Sequence, residues 1–141
     1  MQSLYTLLQR HPLVFVHLVT ALAALVLGIV VMTRRKGTGS HRLLGWAWAA
    51  AMGGTVLASA FIRDYQMPNL AGFTPIHLFT ALAAVNLPRG IWQARKGQVL
   101  AHRKTMRGLF FGACVVAGIF TLVPGRFLGD LLWKQGLGLI A

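Results

Sequence analysis

The sequence contains almost no acidic residues: of 141 residues, two are Asp or Glu, against 14 Lys or Arg. The two carboxylates, Asp64 and Asp130, lie at the edges of apolar runs. General acid–base catalysis by paired carboxylates needs two of them in one site, and nothing in the sequence places them together. Cation-conducting paths usually combine carboxylates with imidazoles, so the shortage of acidic residues also argues against an ion-conducting function.

Cysteine is equally scarce, and the single Cys114 lies within an apolar run. An internal disulfide, a cysteine-based metal cluster and a covalent haem attachment sequence are therefore excluded. The sequence also lacks a Ser-His-Asp arrangement and a Gly-rich phosphate loop. If the protein is an enzyme, a cofactor must supply the chemistry, and the class to consider is a membrane oxidoreductase.

Charged side chains make up 11% of the chain, hydrophobic ones make up 56%, and the mean hydropathy is +0.64. Because soluble domains carry roughly 25% charged residues, this chain lacks the polar surface that covers a globule in water. The net charge of +12 does not indicate nucleic acid, since the basic residues cluster in loops between apolar runs. Lipid is the expected surrounding.

Four apolar runs are long enough to cross a bilayer. They cover about residues 12–33, 43–62, 74–93 and 106–123, within one membrane domain spanning 1–141. We therefore predict an all-α integral membrane protein, an up-down four-helix bundle with short connections.

The chain repeats itself. HLVTALAA begins at His17 and HLFTALAA at His77, and a Lys-Gly pair follows each at Lys36 and Lys96. The repeat predicts two parallel helical hairpins, at about 13–62 and 74–123.

The basic residues also predict the orientation. Ten Lys or Arg lie in or beside the two Lys-Gly loops, and four lie on the other side. The positive-inside rule places both loops in the cytoplasm and both termini outside, in a bacterial inner membrane.

Each repeat has one histidine near the start of its first helix and a second one just after its Lys-Gly turn. His17 precedes His41 by 24 positions, and His77 precedes His102 by 25. In an up-down bundle, His17 and His77 lie on diagonal helices near the outer face, and His41 and His102 near the inner face. From His17 to the inner end of its helix is roughly 24 Å at 1.5 Å per residue. The sequence thus predicts two His–His pairs at two depths.

Two imidazoles facing each other across a bundle core suit the axial positions of a haem, and we expect two b-type haems with these four ligands. Small residues that follow the histidines at helical spacing would leave room for the porphyrins. These are Ala21, Ala24, Gly28, Gly45, Ala81 and Ala84. Arg42 and Arg103 could pair with propionates, and Arg63 and Arg126 could border a substrate site at the outer face.

The segments KGTGSHRLLGWAW and HRKTMRGLFFGACVVAGIFTLVPGR are similar to those of an uncharacterised family of small bacterial four-helix membrane proteins, a domain of unknown function. That resemblance runs from His17 to about Trp133 and implies four membrane helices without an assigned activity. The paired-histidine layout separately resembles diheme b-type cytochromes, which exchange electrons with quinol or other small reductants.

These features lead to a two-haem membrane electron carrier that exchanges electrons with a quinone or small redox molecule. Two alternatives stay open at this point. The histidines could line a metal or proton path. They could also belong to a non-catalytic membrane subunit, where they hold helices or lipid head groups.

Overall fold

The structure, a computed structural model, describes residues 9, 12–62 and 77–121. All regular structure in this part of the chain is helical, with no strand, which confirms the predicted all-α class. The elements are α1 (Pro12–Thr33), α2 (Gly39–Phe61), α3 (His77–Arg95), α4 (Val99–Leu109), a π-helix (Phe110–Val116) and α5 (Ala117–Thr121). The last three are continuous and form a fourth long helix.

Two of these helices, α1 and α2, are long and apolar enough to cross a membrane. The bounds of α1 are those predicted from hydropathy, and α2 begins at Gly39, before the predicted start at residue 43. The third helix continues through Pro88 to Arg95, and the fourth begins at Val99 instead of residue 106. Hydropathy marks only the apolar part of a helix, whereas the hydrogen-bonded backbone continues into polar sequence.

The second Lys-Gly pair ends α3. Gly97 has a φ of 71°. Its N–H donates to the Ala94 carbonyl at 3.1 Å, and the Gln98 N–H donates to the Gln93 carbonyl at 2.9 Å. This pair of bonds is the Schellman motif, which needs a residue with positive φ after the helix. The turn is so short that α4 starts two residues after Gly97 and must run back along α3.

The first Lys-Gly pair makes the turn between α1 and α2. Gly37 has a φ of 84°, and the Lys36 ammonium donates to carbonyls at the end of α1, including that of Arg34 at 2.9 Å. Thr38 is the N-cap of α2, and its hydroxyl accepts from the His41 N–H at 3.2 Å. A cation at a helix C-terminus and a hydroxyl at an N-terminus satisfy exposed backbone groups. The cap also fixes the first turn of α2, which carries His41.

Side-chain contacts show that consecutive helices are antiparallel. The start of α1 meets the end of α2 where Thr20 packs beside Gly54. The end of α2 meets the start of α3 where the Ser59 and Thr80 hydroxyls lie 2.8 Å apart. The π-helix returns to α1 and α3, and Cys114 Sγ lies 3.4 Å from Met52 Sδ on α2.

A cluster of buried apolar side chains from all four helices fills the middle of the described part. Its members are Ala24, Val31, Trp48, Ala49, Met52, Ala83, Leu87, Leu109 and Phe110. Many other large apolar side chains point outward, such as Val26 at 59% and Leu57 at 64% exposed. An apolar exterior around a small apolar core is typical of helices surrounded by lipid.

Gly28 provides the closest approach between α1 and the fourth helix. A Cβ placed there would overlap the Phe110 ring and lie 2.9 Å from Trp48 Nε1. The space beside Gly28, which the sequence suggested for a porphyrin, is therefore filled by two aromatic side chains.

We predict that Gly28→Ala lowers the thermal unfolding midpoint of the detergent-solubilised protein. The added methyl must push against Phe110 and Trp48, and overpacking of this kind costs about 1–3 kcal/mol. Gly53→Ala is the matched control, because a Cβ there meets nothing within 4 Å and alanine favours a helix. Equal midpoints for the two variants, by circular dichroism, would contradict the packing described here.

Candidate functional site

The four histidines of the repeats all lie on described helices, and all four are half-buried. His17, near the start of α1, donates its Nδ1–H to the Thr55 carbonyl of α2 at 3.1 Å. The carbonyl can only accept, so this bond fixes the proton of a neutral ring on Nδ1. The Nε2 of His17 is then left with a lone pair.

His77, the first residue of α3, uses the other nitrogen. Its Nε2–H donates to the Ile62 carbonyl at the end of α2, at 3.1 Å. His17 and His77 therefore both contact the C-terminal part of α2, seven residues apart along it. The two equivalent histidines of the repeat are held through different ring nitrogens.

His102, in the first turn of α4, donates its Nδ1–H to the Gly90 carbonyl of α3 at 2.8 Å. Gly90 lies where α3 and α4 approach closely, because a Cβ there would meet Met106 Cε at 2.5 Å. The same bond leaves Nε2 of a neutral His102 with a lone pair.

His41 lies in the first turn of α2, within electrostatic range of His102 and Lys36. The pairing of His41 and His102 around a cofactor stays a prediction. The Nδ1 of His41 is buried and makes no hydrogen bond, and the Val31 backbone of α1 lies near the ring. A buried ring nitrogen without a partner is unusual and suggests a group that belongs beside it.

Two further features lie on the same face of α2 as His41. Gly45, one turn on, is half-buried, yet a Cβ there would meet nothing within 4 Å. Trp48, two turns on, is 4% exposed and has an unpartnered Nε1–H. The space beside Gly45 is open, whereas the Trp48 Nε1 lies in the closed space beside Gly28 on α1.

The inner histidines have a donor set that fits a haem. Metal-binding histidines usually donate the second ring N–H to a carbonyl or carboxylate, as His102 does. At the outer level, His17 makes the same kind of hydrogen bond, from Nδ1 to a backbone carbonyl. The Nε2 of His77 already donates to the Ile62 carbonyl. This nitrogen could bind a metal only if the ring gave up that hydrogen bond.

Larger metal centres have no support in the described part of the chain. Within residues 9, 12–62 and 77–121, no group of three or more His, Cys, Asp or Glu is arranged to hold a metal ion. Two imidazoles alone suit an iron whose other ligands come from a porphyrin better than a bare cation.

The arginines expected to assist stand apart from the imidazoles. Arg103 lines a basic face of α4 with Leu100, Lys104 and Arg107, roughly on the opposite side of the helix from His102 by helical spacing. Arg42 is exposed beside His41. Their pairing with propionates stays a prediction, and Arg63 and Arg126 lie outside the described residues.

Sequence reasoning missed the π-helix at Phe110–Val116. Such segments are rare and frequently accompany functional sites. This one delivers Phe110 to Gly28 and Cys114 to Met52. Gly108, just before this segment, and Gly112, within it, were the available signal, because glycines weaken the regular helix.

The helices and their apolar exterior define a helical membrane protein. A family model described as a predicted membrane protein, DUF2306, matches residues 14–132. The chain belongs to this family, as the sequence motifs predicted. No curated protein and no solved structure matches the chain.

We predict that His102→Leu in haem-free protein lowers the free energy of unfolding by about 0.5–1.5 kcal/mol, the usual contribution of one hydrogen bond. The variant loses the bond to the Gly90 carbonyl that joins α3 to α4. Thr33→Val is the control, since the Thr33 hydroxyl bonds only carbonyls of its own helix. An unfolding midpoint for His102→Leu equal to that of the control would show that the imidazole does not join the helices.

Proposed function

We propose that the protein is a membrane electron-transfer protein that holds two b-type haems, each between two histidines. His41 and His102 would ligate the inner haem, and His17 and His77 the outer one. The observation that carries the proposal is the inner pair: two imidazoles within electrostatic range of each other, His102 anchored through Nδ1 and His41 with a buried Nδ1 that makes no hydrogen bond.

The form of the anchored rings supports this assignment. His17 and His102 come from different repeats and different levels, yet each donates Nδ1–H to a backbone carbonyl of the adjacent helix. That bond orients the ring, fixes the tautomer and raises the basicity of Nε2. A histidine required only to join helices could use either nitrogen, as His77 does.

The space along α2 supports the inner level as the better-formed site. Gly45 lies one turn from His41, and a Cβ there would meet nothing within 4 Å. A bound haem would supply a one-electron redox couple. The chain's own task is to hold the imidazoles neutral and oriented and to exclude water with the apolar cluster between the two levels.

The proposed setting is an up-down four-helix bundle in a bacterial inner membrane, built from two parallel hairpin repeats. The antiparallel contacts and the apolar α1 and α2 support it. Four crossings require α3 and the fourth helix to span as well. Lipid surrounds the bundle, and a quinone or another small redox molecule is the proposed electron partner.

A non-catalytic membrane protein is the second candidate, favoured by the three imidazole-to-carbonyl bonds between elements. In that case the imidazoles would only hold helices together. A metal or proton path is less well supported, because the described residues include no Asp or Glu at all. The haem protein and the non-catalytic protein differ in one measurable respect. Histidine substitutions should lower the haem content of the first, whereas the second should contain no haem.

We predict that protein purified from haem-replete cells has a Soret band, with b-type bands that appear on reduction with dithionite. Haem content should be near two per chain, falling to near one for His41→Ala or His102→Ala and for His17→Ala or His77→Ala. Because haem would bind only the folded protein, losing one haem should also destabilise the protein by more than losing one hydrogen bond. A ligand at 100 times its Kd adds about 2.7 kcal/mol to the free energy of unfolding.

His11→Ala is the control for this measurement, because His11 lies outside the repeats and should leave the haem content unchanged. A colourless wild-type preparation, or equal pigment in all five variants, would overturn the cytochrome assignment. Retained fold with modest destabilisation in a colourless protein would support the structural role instead.

We predict that the two Lys-Gly turns lie on one side of the membrane. In a Cys114→Ala background, Ser40→Cys and Gln98→Cys should react with a membrane-impermeant maleimide only after lysis of spheroplasts. Both positions are exposed and lie beside the turns. Gln9→Cys, exposed near the N-terminus, should react in intact spheroplasts. Labelling of Ser40→Cys and Gln98→Cys from opposite sides would contradict four crossings.

A further inference from the structure

A groove of about 440 Å³ lies between α3 and the fourth helix. Its walls are apolar toward the outer half, where Phe79, Leu82 and Ala113 lie, and polar toward the inner half, where Arg89, Gln93 and Lys104 lie. From Phe79 to Gln93 the groove follows α3 for roughly 21 Å at 1.5 Å per residue. The hydrocarbon core of a bilayer is about 30 Å thick, so one leaflet is about 15 Å. The groove is therefore long enough to hold an extended acyl chain that spans one leaflet.

The polar end carries two cations that have no carboxylate beside them among the described residues. Arg89 and Lys104 both line the groove, and the two Asp residues of the chain, Asp64 and Asp130, lie outside that part. Basic side chains near a membrane surface attract anionic lipid head groups. Lys104 also belongs to the basic face with Leu100, Arg103 and Arg107, so the groove opens onto a strongly cationic surface.

A second, independent feature indicates a ligand. Gln93 is 5% exposed, lines the same groove, and its Oε1 has no hydrogen-bond partner. A buried amide oxygen left unpaired is unfavourable, so a donor is expected beside it. A hydroxyl can donate or accept and therefore suits either orientation of the amide.

From these features we infer that the groove binds an anionic phospholipid of the cytoplasmic leaflet. The phosphate lies between Arg89 and Lys104, a head-group hydroxyl donates to Gln93, and one acyl chain follows the apolar half toward Phe79. A phosphoglycerol head group provides both the anion and the hydroxyl. The choice of an anionic lipid over a neutral quinone rests on the two cations of the polar end. The site is independent of the proposed haem function.

The test is native mass spectrometry of the full-length protein with equal amounts of dioleoyl phosphatidylglycerol and dioleoyl phosphatidylcholine. The wild type should retain the anionic lipid roughly 25-fold more than the neutral one, since each of the two basic residues contributes about fivefold to such binding. Arg89→Gln/Lys104→Gln should reduce the ratio to near one. Arg34→Gln/Arg35→Gln removes the same charge from the other basic turn and should leave the ratio unchanged.

A steric variant keeps the test decisive if the charge variant folds poorly. A Cβ at Gly112, which lines the groove, meets nothing within 4 Å, so Gly112→Leu should fill the groove and reduce retention of both lipids. Gly53→Leu, equally open but on α2, should not.

Four outcomes would overturn the inference. They are equal retention of the two lipids by the wild type, equal loss in both double charge variants, unchanged retention in Gly112→Leu, and displacement of the lipid by inorganic phosphate alone. The last would show a phosphate site without a lipid chain.

Discussion

The interaction on which much of this structure depends is the hydrogen bond from an imidazole to a backbone carbonyl of a neighbouring element. His17 reaches from α1 to α2, His77 from α3 to the end of α2, and His102 from α4 to α3. Lipid provides no hydrophobic force between helices, so packing and such polar contacts hold them. Each bond joins two elements and also decides which ring nitrogen is available for other chemistry.

The apolar cluster between the two histidine levels complements these bonds. Ala24, Met52 and Phe110 fill the centre, with Ala24 fully buried and Met52 at 2% exposure. His17 and Thr55 lie beyond one end of this cluster, and His41 and His102 beyond the other. The histidines thus lie in two separate layers. In the proposed function, electrons would pass between the layers through the apolar cluster, whereas a continuous path for ions would need polar groups along it.

The sequence predicted local features well and pairings between helices poorly. The Lys-Gly turns were foreseeable, because glycine at positive φ and nearby cations end helices by local physics. The placement of His41 and His102 at one end of the helices was also foreseeable, since short turns place the first residues of α2 and α4 there; their pairing around a haem stays a prediction. The groove between α3 and the fourth helix, and the closure of the space at Gly28, depend on residues such as Phe110 that are distant in sequence. Helical spacing says which residues share a face but not which side chain from another helix covers that face.

The repeat also shows how similar sequences come to differ in structure. HLVTALAA and HLFTALAA begin with equivalent histidines, yet His17 donates from Nδ1 and His77 from Nε2. The reason is position: His17 lies inside α1 and faces a helical carbonyl, whereas His77 is the first residue of α3 and meets the carbonyl of Ile62, the C-cap of α2. His102 is likewise anchored while its counterpart His41 keeps a buried, unpartnered nitrogen beside the open space at Gly45. If all four histidines bound haem iron in the same way, the His77 ring would have to turn so that its Nε2 left the Ile62 carbonyl. The Nδ1 of His41 would have to gain a hydrogen-bond partner. The inner level needs only the second of these changes, and for this reason we place the better-formed site there.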